Sequence, residues 1–105
     1  MKAGRLTEEI RIERATNTVS EAGTPVAAWT VLCVLRAEKV EETTTEYIRN
    51  AGARDEDVVV FRARFFDGIA NADRVIWRGA VFNIRQLSPI DRRRGIELRC
   101  VRVTP

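Results

Sequence analysis

Six carboxylates crowd one segment of the chain: Glu41, Glu42, Glu46, Asp55, Glu56 and Asp57. Clustered oxygens can hold a divalent cation or run acid–base chemistry when their spacing lets them converge. These lack the alternating ligands closed by a twelfth-position Glu that a calcium loop needs, so a solvated acidic segment is the expectation. The densest cationic group is Arg92-Arg93-Arg94. It suits either a phosphate or acidic-partner clamp or simply a solvated hairpin tip. Arg62, Arg64 and Arg85 fall opposite apolar positions on their strands, where arginine can bind a partner or merely discourage edge pairing. Cys33 and Cys100 sit in apolar alternation and are expected to be reduced, buried thiols.

The chain has no histidine. That removes the Ser-His-Asp and Cys-His pairs, imidazole metal ligands and a side chain that titrates near neutral pH. Two cysteines cannot supply the roughly four N/S ligands of a structural zinc site. No GxGxxG or GxxxxGK[ST] loop occurs. The expectation is therefore no enzyme, no catalytic residue, no metal and no cofactor. At 105 residues with 45% hydrophobic and 31% charged side chains, the chain reads as one globular domain spanning 1–105. No apolar run approaches the roughly 18–20 residues of a membrane span, and the N-terminus carries no signal-peptide pattern, so no membrane partner is expected.

The net charge of +3 is unevenly placed. Residues 1–57 carry 8 basic and 11 acidic side chains, whereas residues 58–105 carry 10 and 4. Sixteen of the 18 basic residues are arginine, which a GC-rich genome can explain and which also suits interfaces. Acidic and basic halves on one small chain point to complementarity between copies or neighbours.

Period-two alternation dominates the elements that must position these groups. Leu6, Ile10 and Ile12 mark a first strand, with Glu8 the one polar residue on its apolar side. Asn17–Pro25 has loop chemistry. Ala27–Lys39 places Trp29, Val31, Cys33, Leu35 and Ala37 on one face, and its central part is apolar enough to be covered on both sides. Residues 40–57 lack a useful apolar face and read as a long polar loop, with a short helix over Glu41–Arg49 as the alternative. Val59, Phe61, Ala63 and Phe65 restart the alternation. Turns are expected at Asp67-Gly68, Asn71-Ala72-Asp73, Arg78-Gly79 and Asp91–Gly95, with Ser88-Pro89 ending the fifth strand. The sum is an all-β, six-stranded antiparallel barrel or sandwich with one long polar loop between strands 2 and 3.

Laid out this way, the chain resembles the phage head–tail joining family, the head-completion or stopper proteins of long-tailed phages. The resemblance runs from about residue 3 to 102. It is carried by Ala3-Gly4-Arg5-Leu6 leading into Ile10-Arg11-Ile12, and by the strand from Trp29 to Arg36-Ala37-Glu38. It continues through Val60-Phe61-Arg62-Ala63-Arg64-Phe65 and Asp73-Arg74-Val75-Ile76-Trp77-Arg78-Gly79. Val81-Phe82-Asn83-Ile84-Arg85 and Gly95-Ile96-Glu97-Leu98-Arg99-Cys100 close it. Glu9 stands where the family often has Arg.

The resemblance implies a small barrel assembled as a ring of about six or twelve copies, in a phage, prophage or gene transfer agent particle. Its partners would be the portal or adaptor on the head side, the tail terminator or tail tube on the other, and double-stranded DNA in the channel. The loop at about 40–57, with Glu41, Glu42, Thr43, Thr44, Thr45, Glu46 and Tyr47, would be the gating element. Arg62, Arg64, Arg92, Arg93 and Arg94 are then expected at interfaces. The competing class is a small nucleic-acid-binding barrel of OB-like or Sm-like type.

Overall fold

The computed structural model describes residues 3–49 and 52–103, with side chains at 4–44 and 56–103. A single 3-10 turn at Ala3–Arg5 precedes six strands: β1 (Glu8–Val19), β2 (Pro25–Arg49), β3 (Gly52–Arg64), β4 (Arg74–Trp77), β5 (Ala80–Ile90) and β6 (Gly95–Arg102). Every neighbouring pair is antiparallel, and the order β1-β2-β3-β6-β5-β4 closes into a barrel. The six-stranded antiparallel expectation holds.

Alternation sets the interior, because successive side chains leave a strand on opposite faces. Ile10 and Ile12 of β1, Ala37 of β2, and Val59, Phe61 and Ala63 of β3 point inwards and are buried. Val75 and Trp77, Phe82 and Ile84, then Ile96, Leu98 and Cys100 complete the core from the remaining strands. Phe61 meets the Trp77 ring edge-on at 5.2 Å and 73°, and Phe82 lies 5.9 Å from Trp77 on its other flank. Such aromatic pairs add about 0.5–1.5 kcal/mol each beyond the area they bury.

Bulges explain where the alternation misleads. The β1–β2 register shifts between Ile12 and Glu13, leaving Leu32 without an opposite residue. Cys33, Leu35 and Ala37 therefore face the core, while Trp29 and Val31, expected on that same face, are turned outwards. A second shift lies between Lys39 and Glu41, and a third between Ile84 and Gln86. Straight, the 25 residues of β2 would span roughly 80 Å at ~3.3 Å each. The molecule's longest dimension is 50 Å, so β2 bends strongly, as bulged strands do.

Three local expectations are corrected. The region 17–25 contributes only a turn at 20–24, where Ser20 N–H donates to Thr24 O and Gly23 N–H to Ser20 O, each at 2.9 Å. β5 passes through Pro89 to Ile90, because β4 has already ended and a free strand edge tolerates proline. Residues 40–57 form neither an irregular loop nor a helix: β2 runs on to Arg49 and pairs with β3 from Gly52. Asn50 and Ala51, at the tip, lie outside the described residues. The Arg78-Gly79 turn is as expected, with φ of 50° and 76°, the two positive values a two-residue hairpin of primed type requires.

Truncating the fully buried Phe61 to Ala removes the centre of the aromatic cluster. The expected cost is about 3–5 kcal/mol, read as a lower urea midpoint with unchanged slope.

Candidate functional site

Strand direction sorts the charged groups to two ends of the barrel. At one end lie the β1–β2 turn, the connection 65–73 and the β5–β6 turn; at the other lie the β2–β3 extension, the Arg78-Gly79 turn, the start of β1 and the end of β6. The acidic segment and the Arg92–Arg94 cluster are therefore at opposite ends.

At the acidic end, the interior alternation continues past the core and brings Glu8, Lys39, Glu42, Asp57, Trp77 and Arg102 to the barrel mouth. Glu8 accepts from the Trp77 indole N–H at 3.2 Å and from Arg78 at 2.7 Å. The Arg78 guanidinium also stacks 4.5 Å from the Trp77 ring, and Lys39 reaches it at 5.7 Å while pairing with Glu42 at 2.9 Å. A cavity of about 310 Å³ opens here, floored by Val59, Trp77, Ala80 and Phe82 and rimmed by Glu42, Thr44, Asp57, Arg78 and Arg102. Glu8 was visible in the sequence as a polar residue on an apolar face. Its indole partner was not.

The two-stranded ribbon formed by residues 41–57 grows from this mouth. Glu41, Glu42, Thr43 and Thr44 are exposed and pair with Val60, Val59, Val58 and Asp57. Thr44 donates its hydroxyl to Asp57 at 2.8 Å, and Glu56 holds Arg85 at 2.7 Å, tying the ribbon base to β5. Thr45, Glu46 and Tyr47 continue the strand opposite Glu56, Asp55 and Arg54; their side chains lie outside the described residues. Beyond the barrel, the ribbon's outer edges have no neighbouring strand among the described residues, because β1 leaves β2 at Ala37 and β6 leaves β3 at Val58.

At the other end, Asp91, Arg92 and Arg93 form a tip with three successive positive φ values of 50°, 54° and 67°. Non-glycine residues pay roughly 1–2 kcal/mol each for that conformation. Arg92, Arg93 and Arg94 are exposed, Arg94 O accepts from Phe65 N–H at 3.1 Å, and Arg64 pairs with Gly95 beside them. Arg62 stands apart, on the barrel wall between Glu38 and Glu97 in register. Its Nε is buried without a hydrogen-bond partner among the described residues. Both cysteines are free. Burial pushes the Cys100 thiol up to about 12; burial, then the charge of Asp73, raises Cys33 as well, so neither is primed for nucleophilic chemistry. No group of three or more metal-ligating side chains converges among the described residues.

A latch that the sequence did not reveal ties the 65–73 connection to β1. Arg14 grips Asp73 in bidentate fashion at 2.9 Å and 2.9 Å and also donates to Gly68 O, while Asp73 accepts from Ala70 N–H at 2.8 Å. Burial would raise the Asp73 carboxyl; the hydrogen bonds from Arg14 and Ala70 and the Arg14 charge outweigh it and hold the group below its ordinary value.

These features define a scaffold: a closed barrel carrying charged and uncharged projections, with no converging catalytic groups among the described residues. Residues 1–103 match the family model described as phage head completion protein, and the chain belongs to that family. It is a structural protein of the phage virion and not an enzyme. Among solved structures, a chain of the native gene transfer agent virion superposes with a TM-score of 0.71 at 15% identity, covering 94% of this chain and 96% of that one. The solution structure of protein SF1141 from Shigella flexneri 2a gives 0.69 at 22% identity, covering 97% and 96%. At such identities the likeness shows a shared fold. No curated protein matches.

The sign of the Asp73 shift fixes a pH window. A carboxyl held below its unfolded value of about 3.8 contributes stability above that pH, which is lost as pH falls through the folded value. Asp73→Asn should be less stable than the parent at pH 7, with the difference shrinking below about pH 3.8; unfolding midpoints across that range check it.

Proposed function

We infer that the chain is the stopper of the head–tail junction, a single domain repeated in a ring of about six or twelve copies. The reading rests on the family membership together with one geometric observation: a long acidic ribbon that projects beyond the barrel end. Residues 41–57 carry eight charged side chains, six of them acidic. Around a narrow bore, ring symmetry multiplies that charge by the copy number. DNA approaching such a lining meets like charge within the ~8–10 Å over which charges are felt at physiological salt, so it passes without adhering.

Closure of the gate uses the backbone instead of the carboxylates. The free outer edge of β2 at Thr43-Thr44-Thr45 offers unpaired N–H and C=O groups to the next copy's ribbon, a strand-addition contact. Arg62 on the wall serves the contact between copies. Arg64 and Arg92–Arg94, at the barrel end remote from the ribbon, meet the portal or adaptor; the tail terminator or tail tube lies on the ribbon side.

A nucleic-acid-binding barrel would need aromatic side chains displayed for stacking. Phe61, Trp77 and Phe82 are instead spent on the core, and the exposed Trp29 is stacked by Arg74, which favours the connector reading.

Replacing residues 43–58 by an Asn-Gly turn that joins Glu42 directly to Val59 keeps the barrel register. The expected outcome is a folded protein whose particles leak DNA or fail to join tails; normal DNA retention with normal tail attachment contradicts the gate. Changing Arg92, Arg93 and Arg94 together to Glu should lower incorporation into particles by roughly tenfold or more, the equivalent of about 1.4 kcal/mol or above. Unchanged incorporation rejects the adaptor contact.

A further inference from the structure

The end of the molecule opposite the ribbon carries a second projection that the gate does not use. Past Glu13, β1 pairs with no strand but β2 among the described residues, and the two strands run out to the 20–24 turn as a free arm. Residues 15–31 contain one charged side chain, Glu21, in a chain that is 31% charged overall. Seven large hydrophobic side chains are exposed among the described residues, and five of them, Val19, Val26, Trp29, Val31 and Val34, lie on this arm or at its root. Val19 is 74% exposed, Val31 55% and Val34 53%. An isolated two-stranded ribbon is marginal in water, so an arm this apolar is stabilised by what covers it.

Both faces of the arm are uncharged over most of its length, and they differ. The register puts Val19, Ala27, Trp29 and Val31 on the face continuous with the barrel exterior. The opposite face carries Thr16, Thr18, Val26, Ala28 and Thr30. There the threonine hydroxyls turn back onto the arm's own carbonyls: Thr16 to Ala28 O at 3.2 Å, Thr18 to Val26 O at 3.3 Å and Thr30 to Arg14 O at 3.4 Å. With the hydroxyls occupied, the threonine methyls make this face largely apolar as well. Charges resume at the root, where Arg74 stacks on Trp29 at 4.0 Å and pairs with Glu13 at 2.8 Å.

Resting on the ring reading above, we propose that the arms of neighbouring copies stack face to face, the Thr16/Val26/Ala28 face of one on the Val19/Trp29/Val31 face of the next. The occupant is a second copy of this chain because its exposed large hydrophobics are concentrated on this same element, while the barrel walls present rows of Arg and Glu. An uncharged face excludes a polyanion such as DNA as the partner, since nothing on it neutralises phosphate. Unlike faces in contact make a head-to-tail arrangement, the kind that forms a ring when the rotation between copies closes; like faces would stop at a two-fold dimer. One face of so narrow a ribbon is far below the roughly 800 Å² per partner of a stable pairwise complex. The arms therefore add to barrel contacts and form a neutral collar at the end away from the acidic gate.

Cross-linking in assembled particles tests this. Val19→Cys and Val26→Cys place thiols on opposite faces at the same level of the arm, tested in a Cys33→Ala background under mild oxidation. A disulfide needs Cβ atoms ~4 Å apart, which thiols facing each other across one contact can meet and the same residue of successive copies, ~10 Å apart, cannot. Both positions are exposed, and an unchanged unfolding midpoint confirms that the variants fold. The double variant should give a ladder extending beyond dimer, and neither single variant should cross-link. Dimers from a single variant would show two-fold pairing and overturn the proposal. A ring visible by electron microscopy with no ladder would overturn the arm contact and leave the ring reading standing; no ring at all would overturn both.

Discussion

The barrel closes through three residue pairs. β1 meets β4 only at Arg11–Ile76, Ile12–Val75 and Glu13–Arg74, a far shorter ladder than any pairing of β2 with its neighbours. Side chains reinforce that seam on both sides: Arg74 to Glu13 on the exterior, Arg14 to Asp73 at one end, and Glu8 to Trp77 and Arg78 at the other. Were the seam to open, Ile12, Val75 and Trp77 would lose their common interior, and the edges of β1 and β4 would be exposed to promiscuous pairing. Everything that projects from the barrel takes its direction from this closure.

β2 links the two projections. It begins in the uncharged arm, lines the barrel wall and ends in the acidic ribbon, turning at bulges near Leu32 and Val40. One strand thus carries two chemistries at opposite ends, and the bulges let an otherwise regular ladder change direction at each barrel rim. Exposed β-edges at both ends would be an aggregation hazard in a free monomer. In the proposed ring they would become the contact surfaces, acidic where DNA would pass and apolar where copies would meet. In the sequence the division shows as six of the eleven carboxylates of residues 1–57 falling in 41–57 and only one in 15–31.

Strand number, the interior set from Ile10 to Cys100 and the Arg78-Gly79 turn were legible because alternation and turn chemistry are local. Residues 40–57 were misjudged because alternation was sought with one apolar face, whereas a ribbon outside the barrel has no core to face. The β-prone Thr43-Thr44-Thr45 run, which pairs with Val58, Asp57 and Glu56, was the available signal. Trp29 and Val31 were assigned to the wrong side because a one-residue bulge inverts a strand's faces and leaves no mark in composition. Glu8, Asp73 and Arg14 escaped notice as partners since their bonds join residues some sixty positions apart. The acidic and basic groups themselves were plain, and only the fold could put them at opposite ends.

The placement of the acidic ribbon relative to the ring axis is what the connector reading depends on. Electron cryomicroscopy of the intact particle, at a resolution that traces strands at the head–tail junction, measures it directly. The expected result is a ring of these barrels with residues 41–57 converging on the axis and residues 15–31 of successive copies overlapping at the opposite rim. Ribbons directed away from the bore, or these barrels absent from the junction, would contradict it.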